Sequence, residues 1–152
     1  MGLRNDIGGA LKSAIKEQRK RRTGTLRLVT AAIKDREIAA RTAGPDAGIG
    51  DDQVREILAK MVKQRHDSVK LYEEGGRPEL AAQEAEEIEI IQEFLPKQLS
   101  EDEVRAAVEA VVTELEAKSL KDMGRTMGAL KARYAGQMDF GKVGAMVKAR
   151  LG

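Results

Sequence analysis

The segment of this 152-residue chain with the most obvious chemical promise is Gly-Gln-Met-Asp-Phe-Gly-Lys-Val at 136–143. It matches the phosphate-cradling pattern G-x-x-x-x-G-K up to its last position. There it fails: Val143 carries no hydroxyl for magnesium, and no strand-like run precedes Gly136 to support a backbone cradle. The structural reading is that Gly136 caps one helix and Asp139 starts the next, with Gly141 allowing close packing. Arg65-His66-Asp67-Ser68 sets a serine, a histidine and an aspartate side by side. In a helix, however, consecutive residues point about 100° apart and cannot form a nucleophile–base–orienter chain. His66 then sits at the edge of an apolar stripe. Of the four serines, Ser100 and Ser119 read as helix caps, while Ser13 and Ser68 lie inside helices with no base beside them. A di-iron bundle needs Glu-x-x-His, and the single histidine has Lys63 three places before it. Glu84, Glu86, Glu87, Glu89 and Glu93 crowd one segment, which without histidine reads as a solvated helix face. No catalytic residue, no metal ligand set and no cofactor is therefore expected.

One set of residues does read as a binding surface. Lys121, Arg125, Lys131, Arg133, Lys142, Lys148 and Arg150 follow one another with almost no acid between them. Aromatic residues are only 3% of the chain, so such a surface could not stack unpaired bases and would read phosphates and overall shape, as a folded RNA permits. Gly124 and Gly128, four apart, read as a place where another backbone approaches closely, in internal helix packing or at a partner surface.

These residues must be positioned by helices. Pro occurs three times, and Ala, Leu, Glu, Lys and Arg dominate, which predicts an all-α fold. Leu3, Ile7, Ala10, Leu11, Ala14 and Ile15 mark a first helix running into the basic stretch 16–22, with Thr23 and Gly24 breaking it. A second runs from Thr25 on Leu26, Val29, Ala32 and Ile33 to about Arg41, and a turn-rich loop follows over 42–50. Asp51 and Asp52 supply an N-cap and favourable first-turn charge for a third helix on Val54, Ile57, Leu58, Met61, Val62, Val69 and Tyr72, which Gly75 and Gly76 end. Pro78 opens a fourth carrying Leu80, Ala81, Ile88, Ile91, Phe94 and Leu95 as far as Pro96. Ser100 with Glu103 forms a capping box for a fifth, on Val104, Ala107, Val108, Val111, Val112 and Leu115, and Ser119 with Asp122 looks like another such start. Two short helices finish the chain, through Met123, Met127, Leu130 and Tyr134, and through Val143, Met146, Val147 and Leu151. The expected organisation is a four-helix lobe, 1–95, followed by a three-helix lobe, 96–152.

Composition excludes several classes. With 41% hydrophobic and 34% charged residues, the chain is neither disordered nor a membrane protein. Its longest uncharged stretch, Leu28 to Ile33, is far short of the roughly 20 residues of a spanning helix or the apolar core of a signal peptide. There is no cysteine, so disulfides and thiolate chemistry are impossible, and a cytoplasmic location is expected. The net charge of +2 conceals a basic first half, an acidic stretch over 73–116 and a basic end.

Several stretches also carry a family resemblance. Thr-Leu-Arg-Leu-Val-Thr-Ala-Ala-Ile-Lys-Asp-Arg-Glu-Ile (25–38), Lys-Gln-Arg-His-Asp-Ser (63–68), Tyr-Glu-Glu-Gly-Gly-Arg-Pro-Glu-Leu (72–80) and Phe-Leu-Pro-Lys-Gln-Leu-Ser (94–100) resemble the signature of the YqeY family of small bacterial proteins. Met-Gly-Arg-Thr-Met-Gly-Ala-Leu-Lys (123–131) with 136–143 is similar to the tail of the B subunit of tRNA-dependent amidotransferases, a helical region that touches the body of the tRNA. The resemblance implies two helical lobes. It also implies a carbon–nitrogen ligase using glutamine as amide donor, but that chemistry belongs to amidotransferase parts this chain does not match. The function expected is a non-catalytic helical module binding tRNA or another structured RNA, accessory to tRNA-linked amidation. A ligase component with a protein partner in amidation and a protein–protein adaptor stand as alternatives. Neither a membrane nor DNA is expected as a partner.

Overall fold

The computed structural model describes residues 2–44 and 48–152, and among them every regular element is helical. The chain divides into two compact units, Met1–Pro96 and Lys97–Gly152. The first holds α1 (Leu3–Lys16), α2 (Lys20–Ala40), α3 (Asp51–Glu74) and α4 (Pro78–Gln92). The second holds α5 (Glu101–Glu114), α6 (Met123–Tyr134) and α7 (Phe140–Leu151). The all-α expectation is met. Each unit has its own apolar core.

In the first unit the core is built from stripes at helical spacing. Ile7 and Ala14 come from α1, Leu26, Val29 and Ile33 from α2, Val54, Ile57, Leu58, Met61 and Val62 from α3, and Ile88 and Ile91 from α4. Burying each large aliphatic side chain contributes about 1.5–3 kcal/mol. The stripe of α3 stops at Val62: further on Val69 is only partly buried and Leu71 is exposed.

Three boundaries differ from the sequence reading. Thr23 and Gly24 do not break a helix; they lie inside α2. The break comes earlier, at Gln18, whose φ of 58° reverses the chain. The Gln18 N–H donates to the Ile15 carbonyl (3.1 Å) and the Arg19 N–H to the Ala14 carbonyl (3.0 Å), which satisfies the end of α1. The basic stretch 16–22 therefore straddles a turn. Second, Asp51 does not cap its own helix. Gly50 holds the N-cap position of α3, and its N–H donates to Gln53 Oε1 (3.2 Å). Asp51 Oδ1 instead accepts the backbone N–H of Leu3 (3.0 Å), capping α1 from across the unit. Third, α4 ends at Gln92, so Phe94 and Leu95 pack from the turn that follows rather than from the helix. Of the loop expected over 42–50, residues 45–47 lie outside the described residues.

In the second unit, Ser100 caps α5 as its sequence predicts: Glu103 N–H donates to Ser100 Oγ (3.2 Å), and Ser100 N–H to Glu103 Oε1 (3.0 Å). Ser119 and Asp122 open a short 3-10 turn, Leu120–Asp122, ahead of α6. Here the Asp122 carboxylate accepts the N–H groups of Lys118 and Ser119, its half of the capping box with Ser119. α5 closes on Glu116, another residue at positive φ (53°). Gly136, at φ 76°, occupies the third position of a tight turn closed by the Gln137 N–H donating to the Tyr134 carbonyl (2.9 Å). Residues 97–99 are tied to that turn, because the Leu99 N–H donates to the Gln137 carbonyl (2.9 Å) and the Gln98 amide to the Gly136 carbonyl.

Candidate nucleic-acid interface

All seven basic residues singled out by the sequence are exposed, with Lys121 in the 3-10 turn, Arg125, Lys131 and Arg133 on α6, and Lys142, Lys148 and Arg150 on α7. They are not equivalent. Arg133 makes a two-pronged pair with Glu114 of α5 (2.6 and 2.8 Å), and Arg150 Nε donates to Glu109 of the same helix (2.6 Å). Arg125 pairs with Asp122 (2.9 Å). The hydrogen bonds from Arg133 hold the Glu114 carboxyl below the usual range, and Asp122 is lowered by the Lys118 N–H and then by Arg125. Along the chain almost no acid stands among these cations, but in the fold α5 brings its carboxylates to two of them. Lys121, Lys131, Lys142 and Lys148 form no ion pair among the described residues.

Behind this difference lies a pattern the linear reading missed. Asp122–Tyr134 and Asp139–Leu151 are two versions of one segment, Asp-Met-Gly-Arg-Thr-Met-Gly-Ala-Leu-Lys-Ala-Arg-Tyr and Asp-Phe-Gly-Lys-Val-Gly-Ala-Met-Val-Lys-Ala-Arg-Leu. Several equivalent positions have equivalent jobs, although Arg125 is paired and its counterpart Lys142 is not. Thr126 and Val143 are buried, as are Leu130 and Val147; Lys131 and Lys148 are exposed and unpaired; Arg133 and Arg150 each reach a glutamate of α5. The repeated Lys-Ala-Arg thus supplies one anchor to α5 and one unpaired cation on each helix.

Gly124 and Gly128 are not used for the internal helix packing expected of them. Both are exposed, and a Cβ at either would meet nothing within 4 Å. Gly141 is exposed too, its N–H donating to Asp139 Oδ1 (3.0 Å), so that Asp139 caps α7. The segment 136–143 is accordingly a turn and a helix start. His66 and Asp67 are exposed on α3, and the Ser68 hydroxyl donates to the Gln64 carbonyl (3.1 Å). Three of the five glutamates crowded over 84–93 are paired: Glu86 with Arg21 (3.2 Å), Glu87 with Arg65 (2.9 Å) and, just past the end of α4, Glu93 with Arg22 (2.5 Å). Among the described residues no grouping of three or more acids or histidine could hold a metal ion, and no helix is long and apolar enough to cross a membrane. Tyr134 and Phe140 are half-buried against the second core, and of the seven basic residues singled out four lysine ammonium groups stand unpaired among the described residues, each a compact point charge suited to phosphate oxygens.

Comparison with known proteins gives the relatives. "Altered inheritance of mitochondria protein 41, mitochondrial" of Kluyveromyces lactis is 32% identical over 108 residues, covering 69% of this chain and 56% of that protein. The protein of the same name from Lachancea thermotolerans is 33% identical over 107 residues, 69% and 55% of the two chains. That of Vanderwaltozyma polyspora is 29% identical over 120 residues, 78% and 60%. The chain spans a little over half the length of these relatives. They are yeast proteins named as mitochondrial, which overturns the expectation of a cytoplasmic location and gives no support to a bacterial one. Missing cysteines exclude disulfides, and that constraint does not choose between reducing compartments. The family profile described as "Yqey-like protein" matches residues 4–151, nearly the whole length, and the chain belongs to the YqeY family.

Proposed function

We propose that the chain is a non-catalytic helical module that binds tRNA or another folded RNA through its C-terminal unit. The observation that supports this best is the set of four exposed, unpaired lysines, Lys121, Lys131, Lys142 and Lys148, two of them duplicated at the same position of a repeated helix. Arg125, Arg133 and Arg150 serve the fold, holding α6 and α7 to carboxylates, so the anion falls to the lysines. Without exposed aromatic rings the surface contacts phosphates and reads shape, not sequence.

The test is filter binding or fluorescence anisotropy of the whole chain with folded tRNA across a salt series. Neutralising four phosphates makes affinity fall roughly 50- to 150-fold between 50 and 200 mM salt. Replacing Lys121, Lys131, Lys142 and Lys148 together by Ala should abolish that dependence while leaving helicity unchanged. Binding of tRNA that is salt-independent, or equal in the quadruple variant, would refute the reading.

A further inference from the structure

The first unit contains a cavity that the proposed function does not use. It lies where α1 turns into α2, has a volume of about 430 Å³, and is lined by Ile15, Gln18, Lys20, Thr23, Gly24 and Arg27. Four of these six, Lys20, Thr23, Gly24 and Arg27, stand at helical spacing on one face of α2, so a single rigid element carries most of the wall. The lining contains two cations and no carboxylate.

Those two cations differ from their neighbours. Arg19 lies 3.8 Å from Glu17, Arg21 pairs with Glu86 and Arg22 with Glu93, whereas Lys20 and Arg27 have no acidic partner among the described residues. Arg19, Arg21 and Arg22 each have a carboxylate within reach; Lys20 and Arg27, which line the cavity, do not. Gly24 adds a separate observation. It sits in the body of a 21-residue helix, where glycine costs about 1 kcal/mol relative to alanine, and no packed neighbour explains it, since a Cβ there meets nothing within 4 Å. A side chain at 24 would project into the space the cavity occupies. On the opposite wall Ile15, 47% exposed, offers an apolar surface.

We propose that this cavity is a binding site for a phosphate group, held by the Lys20 ammonium and the Arg27 guanidinium, with the Thr23 hydroxyl and the Gln18 amide as neutral hydrogen-bond donors. Two cations 7 residues apart on one helix face flank Gly24 and line the same cavity, and a guanidinium fork matches two phosphate oxygens at once. The volume exceeds a bare phosphate and leaves room for a small ester body against Ile15.

The site is tested in a host carrying the quadruple Lys→Ala change of the second unit, so that its outcome is independent of RNA binding there. Amide chemical shifts of this chain are followed by NMR during titration with inorganic phosphate, with ribose 5-phosphate, and with chloride at matched ionic strength. Saturable shifts clustered over Gln18 to Arg27 with either phosphate, and not with chloride, are expected. Tighter binding of the sugar phosphate identifies an ester as the ligand, tighter binding of inorganic phosphate the free ion. Lys20→Ala and Arg27→Ala should each weaken binding about tenfold. Gly24→Leu keeps both charges, has open space to enter, and improves helix propensity, yet should block the cavity and abolish binding. Shifts reproduced by chloride, shifts scattered over the basic residues of both units, or unchanged phosphate affinity in a folded Gly24→Leu variant would each overturn the proposal.

Discussion

Thr25→Val should make the first unit more stable, by about 1 kcal/mol. Thr25 is 1% exposed among the apolar residues of α2, and its hydroxyl has no hydrogen-bond partner among the described residues. A buried hydroxyl without a partner costs about 1–3 kcal/mol. Valine has nearly the same shape and the same β-branched stiffness, so the exchange removes the penalty without opening a cavity. Thr126 is the internal control. It is equally buried, at 0% exposure, but its Oγ1 donates to the Asp122 carbonyl at 2.9 Å, so Thr126→Val should lose about 0.5–1.5 kcal/mol even though Val143 stands at the matching place in the repeat. Urea unfolding followed by helical circular dichroism, with unchanged m-values, gives both numbers. For a unit of this size 1 kcal/mol corresponds to about 4–8 °C in Tm. If Thr25→Val proved as destabilising as Thr126→Val, the Thr25 hydroxyl must be turned onto the Arg21 carbonyl, as Thr30 Oγ1 is onto that of Leu26, and the argument from an orphaned hydroxyl would fail.

A fragment of residues 97–152 should fold alone, because it is a separate compact unit with its own core; absence of a cooperative helical transition in that fragment would refute this. Within it, Ser100→Ala should cost about 1 kcal/mol by removing the hydroxyl of the capping box, read out by urea unfolding. Gln18→Gly and Glu116→Gly, at φ 58° and 53°, should each stabilise by roughly 0.5–1 kcal/mol, measured the same way. Glu103, Glu114 and Asp122 are all lowered by hydrogen bonds, from the Ser100 N–H, from Arg133, and from the Lys118 N–H with Arg125. A lowered folded-state pKa means the stabilisation is complete above the ordinary carboxylate range and is lost as pH falls through it, so the second unit should weaken on acidification and not between pH 6 and 8. Glu84 has the opposite sign: burial, and then the neighbouring charge of Glu87, raise it, so Glu84→Gln should stabilise at neutral pH and lose its advantage as pH falls and the native carboxyl is protonated.

The helices were legible wherever an apolar stripe recurs without interruption, as on α3 from Val54 to Val62 and on α5 from Val104 to Val112. Their ends were legible only where the terminating residue is of the usual type. Ser100 and Asp139 are such residues; Gln18 is not, and its left-handed backbone is stabilised by two hydrogen bonds that no local propensity reveals. Thr23 and Gly24 look like a break because threonine and glycine are poor helix formers, yet the burial of Thr25, Leu26 and Val29 carries the helix through them. At the candidate interface the residue types were legible and their states were not. Arg133 and Lys131 are two places apart, and only the position of Glu114, 19 residues earlier, makes one an anchor and leaves the other unpaired. The α6/α7 repetition was written in the sequence throughout, but at a spacing shorter than solenoid repeats have.

The bond from the Leu3 N–H to Asp51 sets an order in which the first unit can be completed. A 14-residue helix is marginal in water by itself, and α1 has glycine, Gly2, at its N-cap position and so no side-chain cap of its own, taking one from a residue 48 places beyond Leu3. As the chain emerges from a ribosome, α1 therefore waits for the start of α3 before its first turn is secured. Leu3 thus gains this cap only once residue 51 has been made, and any segment joined ahead of Gly2 remains attached to an uncapped helix until then.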